Sequence, residues 1–134
     1  MEPPRPAARS FPKAARLLKH ADFDRVYQGG RRHFASHVTV FFLARSEGAP
    51  RVGFTVSRAM GGAVIRNRIR RRLREAVRLH LAELSVPADI VINPKKSAQR
   101  AEFSELEREI AAAFALIGKK LSAKHATART GEAE

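Results

Sequence analysis

FTVSRAMGGAVIRNRIRRRLREAVR, residues 54–78, runs from a strand through a double glycine into a helix. Phe54 and Val56 alternate with Thr55 and Ser57, the period of a strand, and Val52 extends the apolar set upstream. Gly61-Gly62 releases the chain. Beyond it Ile65, Ile69, Leu73, Ala76, Val77, Leu81 and Leu84 recur at helical spacing, which predicts one helix over residues 63–84 stopped by Pro87. Around that stripe, six of the nine residues 66–74 are Arg. Asn67, Arg71, Arg74 and Arg78 fall opposite the stripe, Arg68 lies on one flank, and Arg66 and Arg70 lie on the flank nearer the sheet. Arg66, Arg70 and Arg74 repeat at i+4, where like charges cost an isolated helix ~0.2–0.5 kcal/mol per pair. A merely solvated face would mix its signs. This one is arranged to meet anions.

Outward from that stretch, Phe23, Val26 and Tyr27 share one face of a helix predicted over Leu17–Gln28 and ended by Gly29-Gly30. His37–Arg45 reads as a strand, with Val38, Val40 and Phe42 on one side and Thr39, Phe41 and Leu43 on the other. The short Ser46–Pro50 turn suggests that it forms an antiparallel hairpin with a strand over Arg51–Ser57. Ile90-Val91-Ile92 is a further strand closed by Asn93-Pro94, with Asp89 read as a strand-edge residue. The last helix is predicted to open on a capping box, Ser104-Glu105-Leu106-Glu107, and to stop at Gly118. Leu106, Ile110, Ala113, Phe114 and Ile117 supply its inner face. The order is α-β-β-α-β-α, with room for a short extra strand near residues 31–35. Residues 1–15 hold four of the seven prolines and read as a flexible basic arm. Residues 16–118 read as a single α/β domain, and residues 119–134 as a disordered polar tail.

Composition narrows the function. With 134 residues, 26 Lys+Arg against 13 Asp+Glu and a net charge of +13, the chain suits one domain with a polyanionic partner. Arg outnumbers Lys, which favours nucleic acid, because the planar guanidinium matches phosphate and stacks on bases. The absence of Cys excludes disulfides, thiolate metal sites and a Cys nucleophile. No apolar run approaches the ~20 residues of a membrane span, so no membrane partner is expected and a cytoplasmic location is.

The composite from Val52 to Arg74, with its Val-Ser strand end, basic-Gly turn and A-V-x-R-N-R-x-(K/R)-R helix start, closely resembles the bacterial ribonuclease P protein subunit. The likeness extends over residues 16–118. It implies a two-layer α/β (α+β) sandwich with a four-stranded sheet, similar to a ribosomal-protein domain, and an unusual left-handed β-α-β crossover. It implies a protein that binds the catalytic RNA of ribonuclease P and the 5′ leader of precursor tRNA, promoting endonucleolytic removal of the leader. By that resemblance Arg66, Asn67, Arg68, Arg70, Arg71 and Arg74 bind RNA, while Phe23, Tyr27, Phe41 and Thr55 form the leader cleft. Arg72 departs from the family's common apolar residue, borders the buried seam, and is expected to snorkel outward. Gly62 stands where Asn is common, which removes a side-chain cap.

The residues themselves offer no catalytic centre. Asp22 and Asp24 are two apart on a helix and face different ways. Glu102, Glu105, Glu107 and Glu109 crowd the first turns of the last helix, and the five histidines lack metal-ligand spacing. No catalytic residue and no metal ligand is therefore assigned to the protein. Mg²⁺ is expected only for the RNA–protein holoenzyme, with the chemistry in the RNA. The alternative reading is a structural ribosomal or general RNA-binding protein. DNA is disfavoured as a partner, because Asn67 alone on the exposed helix face is a non-Arg base reader.

Overall fold

The computed structural model of the chain describes residues 12–133, and side chains through residue 122. Helix α1 is His20–Gly29, followed by strands β1 (Arg31–Phe34), β2 (Val38–Ala44) and β3 (Arg51–Phe54). Helix α2 (Ala63–His80), strand β4 (Ala88–Pro94) and helix α3 (Phe103–Ala133) complete the order. The strands form one mixed sheet in the order β1-β2-β4-β3. β1–β2 and β2–β4 are antiparallel, and β3–β4 is parallel with α2 as the crossover.

β2 and β3 do not form the expected hairpin, because β4 lies between them. Ala88 through Ile92 are all buried, so this segment is covered on both faces and belongs in the middle of the sheet. The loop at residues 45–50 is long enough to step over an intervening strand, which a two-residue turn is not. Asp89 is accordingly not at an edge. It is 1% exposed and takes a two-pronged contact from Arg51, whose Nε and Nη2 donate at 2.8 Å each. The hydrogen bond to Asp89, opposed by burial and supported by the charges of Asp89 and Asp22, raises the Arg51 pKa.

The principal core lies on the sheet face carrying Val38, Val40, Phe42, Val52, Ile90 and Ile92. Against it pack Ile69, Leu73, Ala76 and Val77 of α2 and Leu106, Ile110, Ala113, Phe114 and Ile117 of α3. This is the expected sandwich; α1 adds partial cover on the opposite face, where Leu17, Val26 and Val91 form a second small cluster.

Several element limits differ from the sequence reading. Residues before His20 do not join α1, because Arg16 bridges Val52 and the Leu17 N–H bonds the Val52 carbonyl at 3.0 Å. Helix α2 gives way to a 3-10 turn at Leu81–Glu83. Its buried stripe starts at Ile69, since Ile65 in the first turn is 43% exposed. Helix α3 begins at Phe103, and its capping contact is the Glu102 N–H bonding the Glu105 carboxylate at 3.1 Å, two residues before the expected box. Gly118 does not stop α3. Leu121 is packed in the core three residues later, and that burial outweighs the helix penalty of one glycine, about 1 kcal/mol. At the other end Ala15 is already core, so the ordered region includes residues 12–15 of the expected arm, whose first eleven residues lie outside the described ones.

Candidate nucleic-acid interface

The sheet register builds one surface row by row. Phe34 pairs with Thr39, Thr39 with Asn93, and the Thr55 N–H bonds the Ile92 carbonyl at 3.1 Å, continuing the parallel ladder. Phe34, Thr39, Asn93 and Thr55 thus form one cross-sheet row on the face away from the main core. The next row is Arg32, Phe41, Val91 and Gly53. Helix α1 sits on that second row, with Val26 in the cluster around Val91 and Phe23 over Gly53. A Cβ on Gly53 would stand 2.5 Å from Phe23 Cζ, so only a glycine lets the ring lie on the strand backbone.

The first row stays open, and Tyr27 marks its boundary. Its hydroxyl donates to Asn93 Oδ1 at 3.0 Å and lies 2.8 Å from Thr55 Oγ1, whose own hydroxyl can donate in return. The Tyr27 ring meets Phe41 edge-on at 4.9 Å. The Arg32 guanidinium lies over Phe41 at 5.9 Å and over Phe34 at 5.7 Å. Phe34 is 64% exposed. The result is a shallow cleft with aromatic faces, hydroxyl and amide groups and a cation at its rim. Such a surface suits a single strand, whose bases stack on aromatics for ~1–3 kcal/mol each.

The four residues proposed for the cleft lie on the sheet face away from the main core. Tyr27 touches both Phe41 and Thr55, whereas Phe23 and Phe41 are half-buried and also serve the small core beneath α1. Thr39 is placed on this face by sequence alternation, but Asn93, Arg32 and Phe34 were not identified from sequence. Period-two alternation of Arg32 and Phe34 was the available signal for β1, and Asn93 became visible only once β4 was placed beside β2.

The second surface is α2. Asn67, Arg68, Arg71 and Arg74 are exposed, and among the described residues no carboxylate pairs with these three arginines. Arg66 and Arg70 are half-buried: Arg66 Nε donates to the Gly61 carbonyl at 3.1 Å, and Arg70 Nη1 donates to Asn67 Oδ1 at 2.8 Å. Gly61 has φ +139°, a left-handed conformation that turns the chain from the 3-10 turn Arg58–Met60 into α2. Gly62 precedes the helix without a side-chain cap. Arg72 is spent within the protein, donating to the carbonyls of Ala98 and Ala101. Arg78 pairs with Glu75, and that hydrogen bond lowers the Glu75 pKa.

The acidic groups do not converge. Asp22 and Asp89 face Arg25, Arg45 and Arg51. The His37 ring lies 3.5 Å from the Glu105 carboxylate and its backbone N–H donates to Glu109 at 2.9 Å, while the His80 ring meets Glu83 and Glu107. Burial opposes a charged His80 ring, but hydrogen bonds from both ring nitrogens to carboxylates, with their charge, outweigh it and raise the pKa. Among the described residues no group of three or more His, Asp or Glu is placed to hold a metal ion, and no helix is long and apolar enough to cross a membrane.

Comparison with known proteins identifies the family and the fold. The family model described as Ribonuclease P matches residues 11–118. The ribonuclease P protein component of Geobacter sp. (strain M21) is 41% identical over 111 residues, covering 83% of this chain and 95% of the relative. That of Citrifermentans bemidjiense is 40% identical with the same coverage. Among solved structures, the Staphylococcus aureus RNase P protein superposes with a TM-score of 0.70 at 26% identity, covering 78% of this chain and 96% of the other. The Thermotoga maritima protein gives 0.68 at 25% identity, covering 74% and 94%.

Proposed function

The chain belongs to the ribonuclease P protein family, and we propose that it works there through two surfaces, α2 on the catalytic RNA and the aromatic cleft on the 5′ leader of precursor tRNA. As the protein component of that endoribonuclease it serves tRNA processing. The observation that carries this reading is the extent of the family match, residues 11–118, which takes in the folded domain with both surfaces rather than the arginine helix alone. The division of labour follows from shape. A helix face carrying Arg68, Arg71 and Arg74 presents diffuse charge to folded RNA phosphates. A shallow row of Phe34, Thr39, Asn93 and Thr55 bordered by Tyr27 suits an unpaired strand.

The chemistry is assigned to the RNA. A nuclease centre in the protein would need convergent carboxylates for two metal ions, whereas each carboxylate pair described above is engaged by Arg or His. Any Mg²⁺ of the holoenzyme would be held by the RNA rather than by residues of this chain, and would supply Lewis acidity for hydrolysis of the scissile bond. The protein raises substrate affinity and screens repulsion between the two RNAs.

Reconstitution tests the whole reading. Precursor tRNA should be cut at the leader junction when the cognate RNA and Mg²⁺ are present, with the protein raising kcat/KM. Cleavage by protein freed of RNA would move the chemistry into the protein. Recovery of ribosomal RNA without the ribonuclease P RNA after pull-down would favour the structural RNA-binding alternative.

A further inference from the structure

Beside α2 lies a notch of about 160 Å³ lined by Ile65, Arg68, Ile69, Arg72, Gln99 and Arg100. We propose that it holds one unpaired nucleotide of the catalytic RNA, its phosphate between Arg68 and Arg100 and its base against Ile65. This deepens the RNA-binding role above and rests on it.

Rigidity is the first argument. The 3-10 turn Lys96–Gln99 that carries Arg100 at its end is tied to three other parts of the fold. Arg72 holds the carbonyls of Ala98 and Ala101, and the Gln99 amide donates to the Met60 carbonyl. His37 Nδ1 lies 2.8 Å from Ser97 Oγ, and the Lys95 N–H donates to the His37 carbonyl at 2.8 Å. The wall opposite α2 is thus set before any ligand arrives, which reduces the entropy lost on binding.

Charge and apolarity are the second. The side chains of Arg68 and Arg100 are exposed, and no carboxylate pairs with either among the described residues. The nearby Glu105 and Glu109 are engaged by His37. Two guanidiniums with free donors match a phosphate. Ile65, which lines the notch with them, is 43% exposed, apolar surface that a helix end in water gains nothing by showing. Size is the third. At 160 Å³ the notch is well below the ~300–1,000 Å³ typical of small-molecule sites, and it lacks the length a docked helix or strand needs. One splayed base with its phosphate is the occupant of that scale and charge.

The absence of Cys makes a direct test clean. Single-cysteine variants Arg100→Cys and, on the opposite face of the domain, Arg32→Cys are coupled to a photoactivated cross-linker and assembled with the catalytic RNA and precursor tRNA. Crosslinks from position 100 should map to one unpaired nucleotide of that RNA. In parallel, Arg100→Glu should weaken binding of the catalytic RNA roughly tenfold or more and lower the salt slope by about one charge, with thermal stability unchanged. Position-100 crosslinks to leader only, to duplex only, or to a co-purified acidic protein would overturn the proposal, as would Arg100→Glu binding with wild-type affinity. Failure of the wild-type protein to bind that RNA at all would instead overturn the underlying function.

Discussion

Gly53→Ala adds one carbon where no RNA is proposed to touch, yet it should disturb both stability and leader binding. The new Cβ would stand 2.5 Å from Phe23 Cζ and 3.0 Å from both Leu17 Cβ and the Leu17 carbonyl oxygen. Normal carbon contacts lie near 3.5–4.0 Å. The Phe23 ring can swing, but the Leu17 backbone is held by its 3.0 Å bond to Val52. Position 53 is not among the positive-φ glycines, so alanine meets no conformational bar and its stiffer unfolded chain contributes ~0.4–1 kcal/mol of stability. Overpacking costs ~1–3 kcal/mol and therefore wins. A net loss of about 1–2 kcal/mol lowers Tm by roughly 4–8 °C for a domain of this size. Displacing Phe23 also shifts α1, and Tyr27 with it, away from Asn93 and Thr55. Affinity for precursor tRNA should fall while affinity for leaderless tRNA and for the catalytic RNA holds. Thermal melts and paired binding titrations read both effects. An unchanged or raised Tm would refute the close approach of Phe23 to β3. A destabilised variant with normal leader affinity would separate α1 packing from the cleft.

Three further predictions follow from other contacts. Arg68→Ala and Arg71→Ala should each weaken the catalytic RNA complex and reduce the log-affinity against log-salt slope by ~0.7–0.9, leaving Tm unchanged, whereas Arg72→Ala should cost stability of about 1–2 kcal/mol in urea titrations by freeing the Ala98 and Ala101 carbonyls. Tyr27→Ala should weaken leader-bearing substrate by roughly 5- to 150-fold, the equivalent of one lost stacking contact, and spare mature tRNA; equal losses for both would remove the cleft assignment. His80 gains its charge-stabilising partners on folding, so its contribution is full below the unfolded value of 6.5 and is lost as pH rises through the higher folded pKa. Unfolding free energy from urea titrations should decline across that window, and His80→Gln should flatten the decline; an identical profile in the variant would refute the role of the Glu83–His80–Glu107 bridge.

Much of this was legible in sequence because local rules governed it. The α2 stripe from Ile69 to Val77, the inward set Val38, Val40 and Phe42, and the arginine face of Asn67, Arg68, Arg71 and Arg74 all follow from periodicity. Periodicity failed where long-range burial decided. Gly118 carries a stop signal, but Leu121 finds a core to pack against and the helix continues. Ile65 fits the stripe, but it borders the notch beside Gln99 and Arg100 and stays 43% exposed. Arg72 lies in the same run as Arg68 and Arg71. Only the position of the 96–101 turn shows that it holds backbone carbonyls while its neighbours remain available for phosphate.

The mistaken hairpin and the unrecognised half of the cleft have a single physical origin. Pairing β2 directly with β3 across the Ser46–Pro50 turn would put Phe41 beside Thr55 and leave no position between the two strands. Inserting β4 places Asn93 there, opposite Thr39 in register and within reach of Tyr27 together with Thr55. The same insertion puts Val91 under α1 and Asp89 against Arg51, so three successive outward residues of β4 serve three tasks. Asp89 anchors one end of the sheet through its charge, Val91 seats the helix, and Asn93 opens toward solvent where that helix stops covering the strands. The strand order thus determines where the cleft begins. Asn93→Ala should therefore loosen Tyr27 and weaken leader binding without unfolding the domain, since Asn93 is only half-buried and the Tyr27 hydroxyl keeps Thr55 as a partner.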